Sequence, residues 1–204
     1  MTKETASTRR KAPKGRETRQ RLVTAALSAF HAQGYRGTGL SQLVDASGFP
    51  RGSLYFHFPG GKEELAVAAI TQAKDEIGAG IDAAFAATAS PAEALGLIAD
   101  AFARELETSN YARGCPVTTV ALEADKDTPA LQAVCAASYE DWLARIETRL
   151  TAAGFAPERA ARLAAFSFSA IEGALILARA RRSRGPLDDV AAELSLLLNT
   201  EKSS

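Results

Sequence analysis

Between positions 34 and 63 the chain gathers side chains suited to a polyanion: Arg36, Ser41, Arg51, Ser53, Tyr55, His57 and Lys62. Guanidinium, ammonium, hydroxyl and imidazole groups donate N–H and O–H to phosphate oxygens, and arginine and serine also reach base edges. Gly52, between Arg51 and Ser53, has no side chain, so the backbone carrying it can approach a ligand surface closely. The patterns of known catalysts are missing. There is no Gly-x-Ser-x-Gly, His-Glu-x-x-His or phosphate loop, and no nucleophile accompanied by base and orienter, so an enzyme is not expected. Gly34, Gly37 and Gly39 loosely imitate a nucleotide loop, but no strand precedes them. The two cysteines, Cys115 and Cys135, and the two histidines, His31 and His57, lack metal-ligand spacing, so neither a disulfide framework nor a metal or cofactor site is expected.

The charge distribution points the same way. The formal net charge of the 204 residues is zero. Yet residues 1–62 carry eleven basic side chains against three acidic ones, a net +8, and the remainder nets −8. Such a division is expected where one segment meets a polyanion and the other does not, although a solvated basic tail would contribute to it as well. Apolar residues make up 47% of the chain and charged ones 24%, ordinary values for a chain that buries a core. The N-terminus has no apolar signal core, and the most apolar stretch, around 160–180, is interrupted by Arg162, Glu172 and Arg179. A soluble, cytoplasmic protein without a membrane partner is expected.

These side chains have to be held by helices. Residues 1–16 are basic and aperiodic and read as a flexible arm. Leu22, Val23, Ala26, Leu27 and Phe30 recur at helical spacing up to Gly34, predicting a helix over 17–33. Thr38 can cap a short second helix carrying Leu40, Leu43 and Val44; Gly48 permits a tight turn, and Pro50 suits the first turn of a third helix ending near His57. Leu65, Ala69, Ala73, Ile77, Ile81 and Phe85 then form a long stripe on a fourth helix. Ser90-Pro91-Ala92-Glu93 has the capping-box pattern that opens a fifth. A sixth helix is expected over 117–123, a seventh from Thr128-Pro129 to Gly154, an eighth from Pro157 to about Arg182, stopped by Gly185-Pro186, and a ninth over 187–198. No alternating strand pattern occurs. The expectation is all-α: an arm (1–16), a DNA-binding unit of three helices (17–60) and an acidic helical bundle (61–204).

The stretch Gly34-Tyr35-Arg36-Gly37-Thr38-Gly39-Leu40-Ser41-Gln42-Leu43-Val44-Asp45-Ala46-Ser47-Gly48-Phe49-Pro50-Arg51-Gly52-Ser53-Leu54-Tyr55-Phe56-His57-Phe58-Pro59-Gly60-Gly61-Lys62-Glu63 closely resembles the N-terminal domain of the TetR family of bacterial transcription regulators. The resemblance implies a helix-turn-helix whose second helix enters the major groove. It implies phosphate contacts at Tyr55, His57, Thr38 and Lys62, with Arg51 and Ser53, flanking Gly52, as the specificity candidates and Ser41 among the contacting residues. Tyr55 and His57 could instead pack against the first helix. Phe56 and Pro50 depart from the commonest family pattern. Arg113-Gly114-Cys115-Pro116-Val117, Ala121-Leu122-Glu123 and Trp142 resemble the LmrA/YxaF-like subgroup, whose members respond to drug-like and flavonoid-type aromatics.

In the acidic half, Phe102, Leu106, Cys115, Val117, Val120, Tyr139, Trp142, Phe166 and Ser167 are the candidates for an effector pocket, with Ser167, Tyr139 or Glu123 as polar anchors. Cys115 could alternatively sense oxidants. The alanine-rich eighth helix and the leucine-rich ninth, through Ala164, Phe168, Leu175, Leu194 and Leu197, are candidates for a two-fold homodimer interface, as the family resemblance implies; alternatively they only close the monomer's core. The expected function is a dimeric repressor on a double-stranded operator, released by a small apolar or aromatic effector. A sequence-tolerant DNA-binding protein without effector is the alternative.

Overall fold

Glycine and proline decide where the helices stop and start. Over residues 14–202, which the computed structural model describes, nine helices and no strand form. They are α1 (Lys14–Gln33), α2 (Leu40–Ser47), α3 (Arg51–His57), α4 (Gly61–Ala87), α5 (Pro91–Thr108), α6 (Pro116–Ala121), α7 (Pro129–Ala152), α8 (Pro157–Arg181) and α9 (Gly185–Lys202). After α1, Gly34 takes φ +73° and its N–H closes on the Phe30 carbonyl at 3.1 Å. Gly48 ends α2 at φ +71°. These left-handed positions are open to glycine at little steric cost. Proline opens α5, α6, α7 and α8, where its missing N–H would have no helical partner anyway.

Three expectations need correction. Lys14, Gly15 and Arg16, assigned to the arm, belong to α1; residues 1–13 lie outside the described residues. Helix α2 is capped by Gly39 without a side-chain bond, because the Thr38 hydroxyl donates backwards to the Gly34 carbonyl at 2.7 Å. Gly185-Pro186 does not stop α8. That helix ends on Arg182 in the left-handed conformation, φ +50°, and the Gly-Pro pair opens α9, where proline suits the first turn. The Ser90 capping box is half made: its hydroxyl accepts from the Glu93 N–H, while the Glu93 carboxylate takes the Thr88 hydroxyl instead.

Packing joins two units through α4. Leu22, Ala26, Phe30, Leu43, Leu54 and Phe58 are almost fully buried and form the core of α1–α3. The long α4 packs on α1 at one end and along α7 and α5 at the other, and α5, α8 and α9 close the bundle. Trp142 of α7 is fully buried and its indole N–H donates to the Lys74 carbonyl of α4 at 3.0 Å, so one side chain fills the core and fixes two helices in register. Each such large buried side chain contributes about 1.5–3 kcal/mol. By length and composition α8 could cross a membrane, but half of its most apolar window is buried inside the bundle.

Candidate nucleic-acid interface and effector cavities

Helix α3 separates its residues cleanly. Leu54 and Phe58 point into the core, whereas Arg51, Gly52, Tyr55 and Phe56 lie exposed, at the spacing of one helical face. A Cβ on Gly52 would meet nothing within 4 Å. Glycine normally weakens a helix interior, so the protein's own packing gives no reason for it there. Ser53 is half-buried at the edge of this face, and Ser41 is exposed on α2. His57 is half-buried, edge-on to Phe56 at 5.0 Å, and its Cε1 comes within 3.8 Å of where a Cβ on Gly15 would stand. Thus His57 borders the start of α1, whereas Tyr55, 45% exposed, is turned outward. Phe56, 80% exposed, joins the face although its apolar ring gave no donor to single it out in sequence.

Thr38 is placed otherwise than expected. It is fully buried and its hydroxyl is already bonded to Gly34, so its side chain cannot reach a phosphate. Lys62 is half-buried with Nζ 4.3 Å from the centre of the Tyr35 ring; burial lowers its pKa and Glu123 pulls it back up. Arg36 makes an exposed ion pair with Asp125.

That ion pair belongs to a set of ties between the reading unit and the bundle. Just past α6, Glu123 accepts the Arg36 backbone N–H at 2.7 Å, and a Cβ on Gly34 would overlap its carboxylate. Gly34 is therefore required twice, by its positive φ and by the close approach of Glu123. Sequence reasoning missed these ties because the partners lie 87 and 89 residues apart.

The candidate pocket residues do not converge. A cavity of about 290 Å³ lies between α1, α4 and α5, lined by His31, Ala73, Ile77, Ile81, Ile98 and Phe102 among others. Of the residues singled out in sequence it takes Phe102. A second cavity of about 640 Å³, between α6, α8 and the α5–α6 loop, takes Cys115 and Glu123. Leu106, Val117 and Val120 are core residues with no exposure. Tyr139, Trp142 and Phe168 form an aromatic cluster with centroid separations of 5.4–6.4 Å. Ser167 is buried with its hydroxyl lacking a partner among the described residues. Phe166, 57% exposed, lines neither of these two cavities; it borders a separate surface cavity of about 380 Å³ with Leu163 and Leu197, between α8 and α9. Cys115 is 2% exposed, and burial, then Glu172, pushes its thiol well above the usual range, which disfavours the thiolate that oxidants attack.

The dimer candidates also need correction. Ala164, Phe168, Leu175 and Leu194 are buried in the monomer's own core and Leu197 is half-buried. The free apolar face of α8 and α9 consists instead of Phe166, Ile176, Leu177 and Leu196, each more than half exposed, with small Ala165, Ser169 and Gly173 between them.

Comparison with known proteins agrees with this arrangement. Residues 22–69 match the family described as bacterial regulatory proteins, tetR family, and residues 91–193 match the C-terminal domain of LmrA/YxaF-like transcriptional regulators. The HTH-type transcriptional regulator LmrA of Bacillus subtilis is 32% identical over 182 residues, spanning 89% of this chain and 97% of LmrA. A TetR transcriptional regulator from Chloroflexus aurantiacus superposes with a TM-score of 0.76 at 28% identity, over 91% of this chain and 96% of its own. CifR, a TetR-family regulator solved with a 26-base-pair double-strand operator, shares the fold with a TM-score of 0.74 at 22% identity, over 85% and 93% of the two chains. This chain belongs to the TetR family, with a C-terminal domain of the LmrA/YxaF-like kind, and is a DNA-binding transcriptional regulator rather than an enzyme.

Proposed function

We propose that the protein is a cytoplasmic repressor that binds a palindromic operator as a homodimer and releases it when a small apolar or aromatic effector occupies the cavity between α1, α4 and α5. The observation that carries this reading is the exposed face of α3, Arg51-Gly52-Tyr55-Phe56, with a glycine that the fold itself does not need. Arg51 and Ser53 supply donors for base edges, and Phe56 offers an apolar ring to thymine methyl groups. Tyr55, His57, Ser41 and Lys62 supply the phosphate contacts that set register. A copy packed on the free face of α8 and α9 buries Phe166, Ile176, Leu177 and Leu196, and the small residues between them allow close helix approach. Two-fold symmetry then sets half-sites about 34–36 Å apart.

The effector cavity is joined to α3 by covalent and packed paths. Its wall includes Ala73, Ile77 and Ile81 of α4, which starts four residues after α3 ends, and His31 near the end of α1. A ligand that favours a displaced α4 changes the spacing of the two α3 helices. Weakening operator binding a hundredfold takes about 2.7 kcal/mol of preference for the released geometry.

The reading is tested by titrating the full chain onto the palindrome nearest its own coding sequence and onto scrambled DNA of equal length at one salt concentration. Repression by operator binding predicts a preference of about a thousandfold or more for the palindrome. A ratio near one identifies a sequence-tolerant binder and rejects the proposal.

A further inference from the structure

The second cavity, of about 640 Å³, is distinct from the effector cavity just described, with which it shares the wall residue Gly114. Its lining carries Glu172 toward one end and Arg179 and Arg182 toward the other with apolar surface between; Glu123, its fourth charged group, is already held by the Arg36 backbone N–H. At the closed end, Glu172 of α8 is 8% exposed, and its Oε2 accepts the Thr118 hydroxyl at 2.7 Å. Thr118 has one proton and gives it to Glu172, so the Tyr139 hydroxyl, 2.7 Å away, must donate to Thr118. The chain of donors thus ends on Oε2. Oε1 has no hydrogen-bond partner among the described residues, and the neighbouring Cys115 thiol is only a weak donor. A carboxyl oxygen so buried and so unsatisfied is unfavourable unless something else supplies the bond.

At the other end stand two guanidinium groups. Arg179 Nη2 makes a long bond of 3.4 Å to the Ala32 carbonyl, and Arg182 donates to the Asn110 side chain at 2.6 Å while lying 5.6 Å from the Tyr111 ring centre. Glu123 lines the same cavity, and its carboxylate accepts the Arg36 backbone N–H at 2.7 Å. Asn110 and Tyr111 both hold left-handed backbone, φ +53° and +61°, in the loop that forms this wall. Such conformations persist where surrounding structure enforces them, and they cluster at ligand sites. Glu172 and Arg179 are seven residues apart on one face of α8, about 10 Å along the axis, with Leu175 and Ile176 between them.

We propose that this cavity binds a medium-length organic acid with a hydroxyl group at its far end, the carboxylate on Arg179 and Arg182 and the hydroxyl on Glu172 Oε1. A hydroxyl suits Glu172 Oε1 because it can act as donor or as acceptor there. Burial also holds Glu172 toward its neutral form, and a hydroxyl can donate to the charged carboxylate or accept from the neutral acid. The ligand's carboxylate competes with the Ala32 carbonyl for Arg179, so occupancy removes one tie between the bundle and the last turn of α1.

Calorimetric titration of the full chain, without DNA, with 8-hydroxyoctanoate, octanoate and octane-1,8-diol tests the proposal independently of operator binding. The expected result is saturable binding of the hydroxy acid at one site per chain, with octanoate and the diol each weaker by about tenfold. Arg179→Gln should reduce the hydroxy acid to the affinity of the diol, and Glu172→Leu should reduce it to that of octanoate. Arg179 is half-buried at the rim, so its variant keeps the fold and decides the matter even if Glu172→Leu does not fold. No saturable binding, equal affinity for the three probes, or unchanged affinity in Arg179→Gln would overturn the proposal.

Discussion

Gly52 separates reading from folding at the level of a single residue. With open space around it and ordinary helical backbone, Gly52→Ala should raise stability by about 0.5–1 kcal/mol in thermal or denaturant unfolding. The same change should weaken operator binding, because a methyl group stands where the backbone meets the duplex. A variant both less stable and unimpaired in DNA binding would show that the glycine serves the fold. His31 gives a second residue-scale prediction. Burial, the largest effect, and Arg113 lower its pKa below 6.5, against upward pulls from Glu105 and Glu76. The folded state therefore binds fewer protons than the unfolded one. The stability from neutral His31 is fully present above about pH 6.5 and is lost as pH falls through the lowered folded value. Replacing His31 by Gln should make the unfolding midpoint fall less between about pH 7.5 and pH 5 than in the wild type; an unchanged decline would contradict this. That Arg51, Gly52 and Tyr55 share an exposed helical face was legible in the sequence because apolar Leu54 and Phe58 mark the opposite side. Thr38 was misread because the pattern does not tell whether a threonine hydroxyl faces forward to cap a helix or back to the preceding turn.

At the level of elements, the tie between α6 and the α1–α2 loop connects the bundle to the reading unit. Glu123→Ala removes the acceptor of the Arg36 N–H and the carboxylate packed over Gly34. Faster amide exchange is expected over residues 34–38, with the bundle amides unchanged and a global stability loss of about 1–2 kcal/mol. Unchanged exchange in that loop would show that the tie is not a constraint. The helices themselves were largely legible, because Gly34, Gly48 and the prolines at 91, 116, 129 and 157 punctuate apolar stripes. The failure at Gly185-Pro186 is instructive: the pair marks a boundary, but only backbone geometry shows whether it ends one helix or begins the next. The Glu123, Asp125 and Arg36 contacts, and the Thr118–Glu172 bond, link distant stretches of chain and leave no local signature.

For the whole molecule, the unsettled surface is the free face of α8 and α9. Sequence pattern singled out residues of α8 and α9 that the monomer's own core buries, because α8 carries apolar residues on its inward and outward faces alike. Placing a charge there, as in Ile176→Glu with Leu177→Glu, should leave helical content intact and convert a dimer of 21.5 kDa chains to monomers in sedimentation. Operator affinity should fall with it, because two half-sites are no longer held together. A variant that stays dimeric places the interface elsewhere. The central claim is that α3 reads base sequence, and it is tested most directly with a panel of operators differing by single base pairs. Wild type, Arg51→Ala and Lys62→Ala would be titrated at matched salt. Arg51→Ala should lose about tenfold or more of discrimination at one base pair per half-site and keep it elsewhere. Lys62→Ala should weaken all operators alike and flatten the salt dependence by about one unit of slope. Equal loss for Arg51→Ala across the whole panel would contradict the assignment.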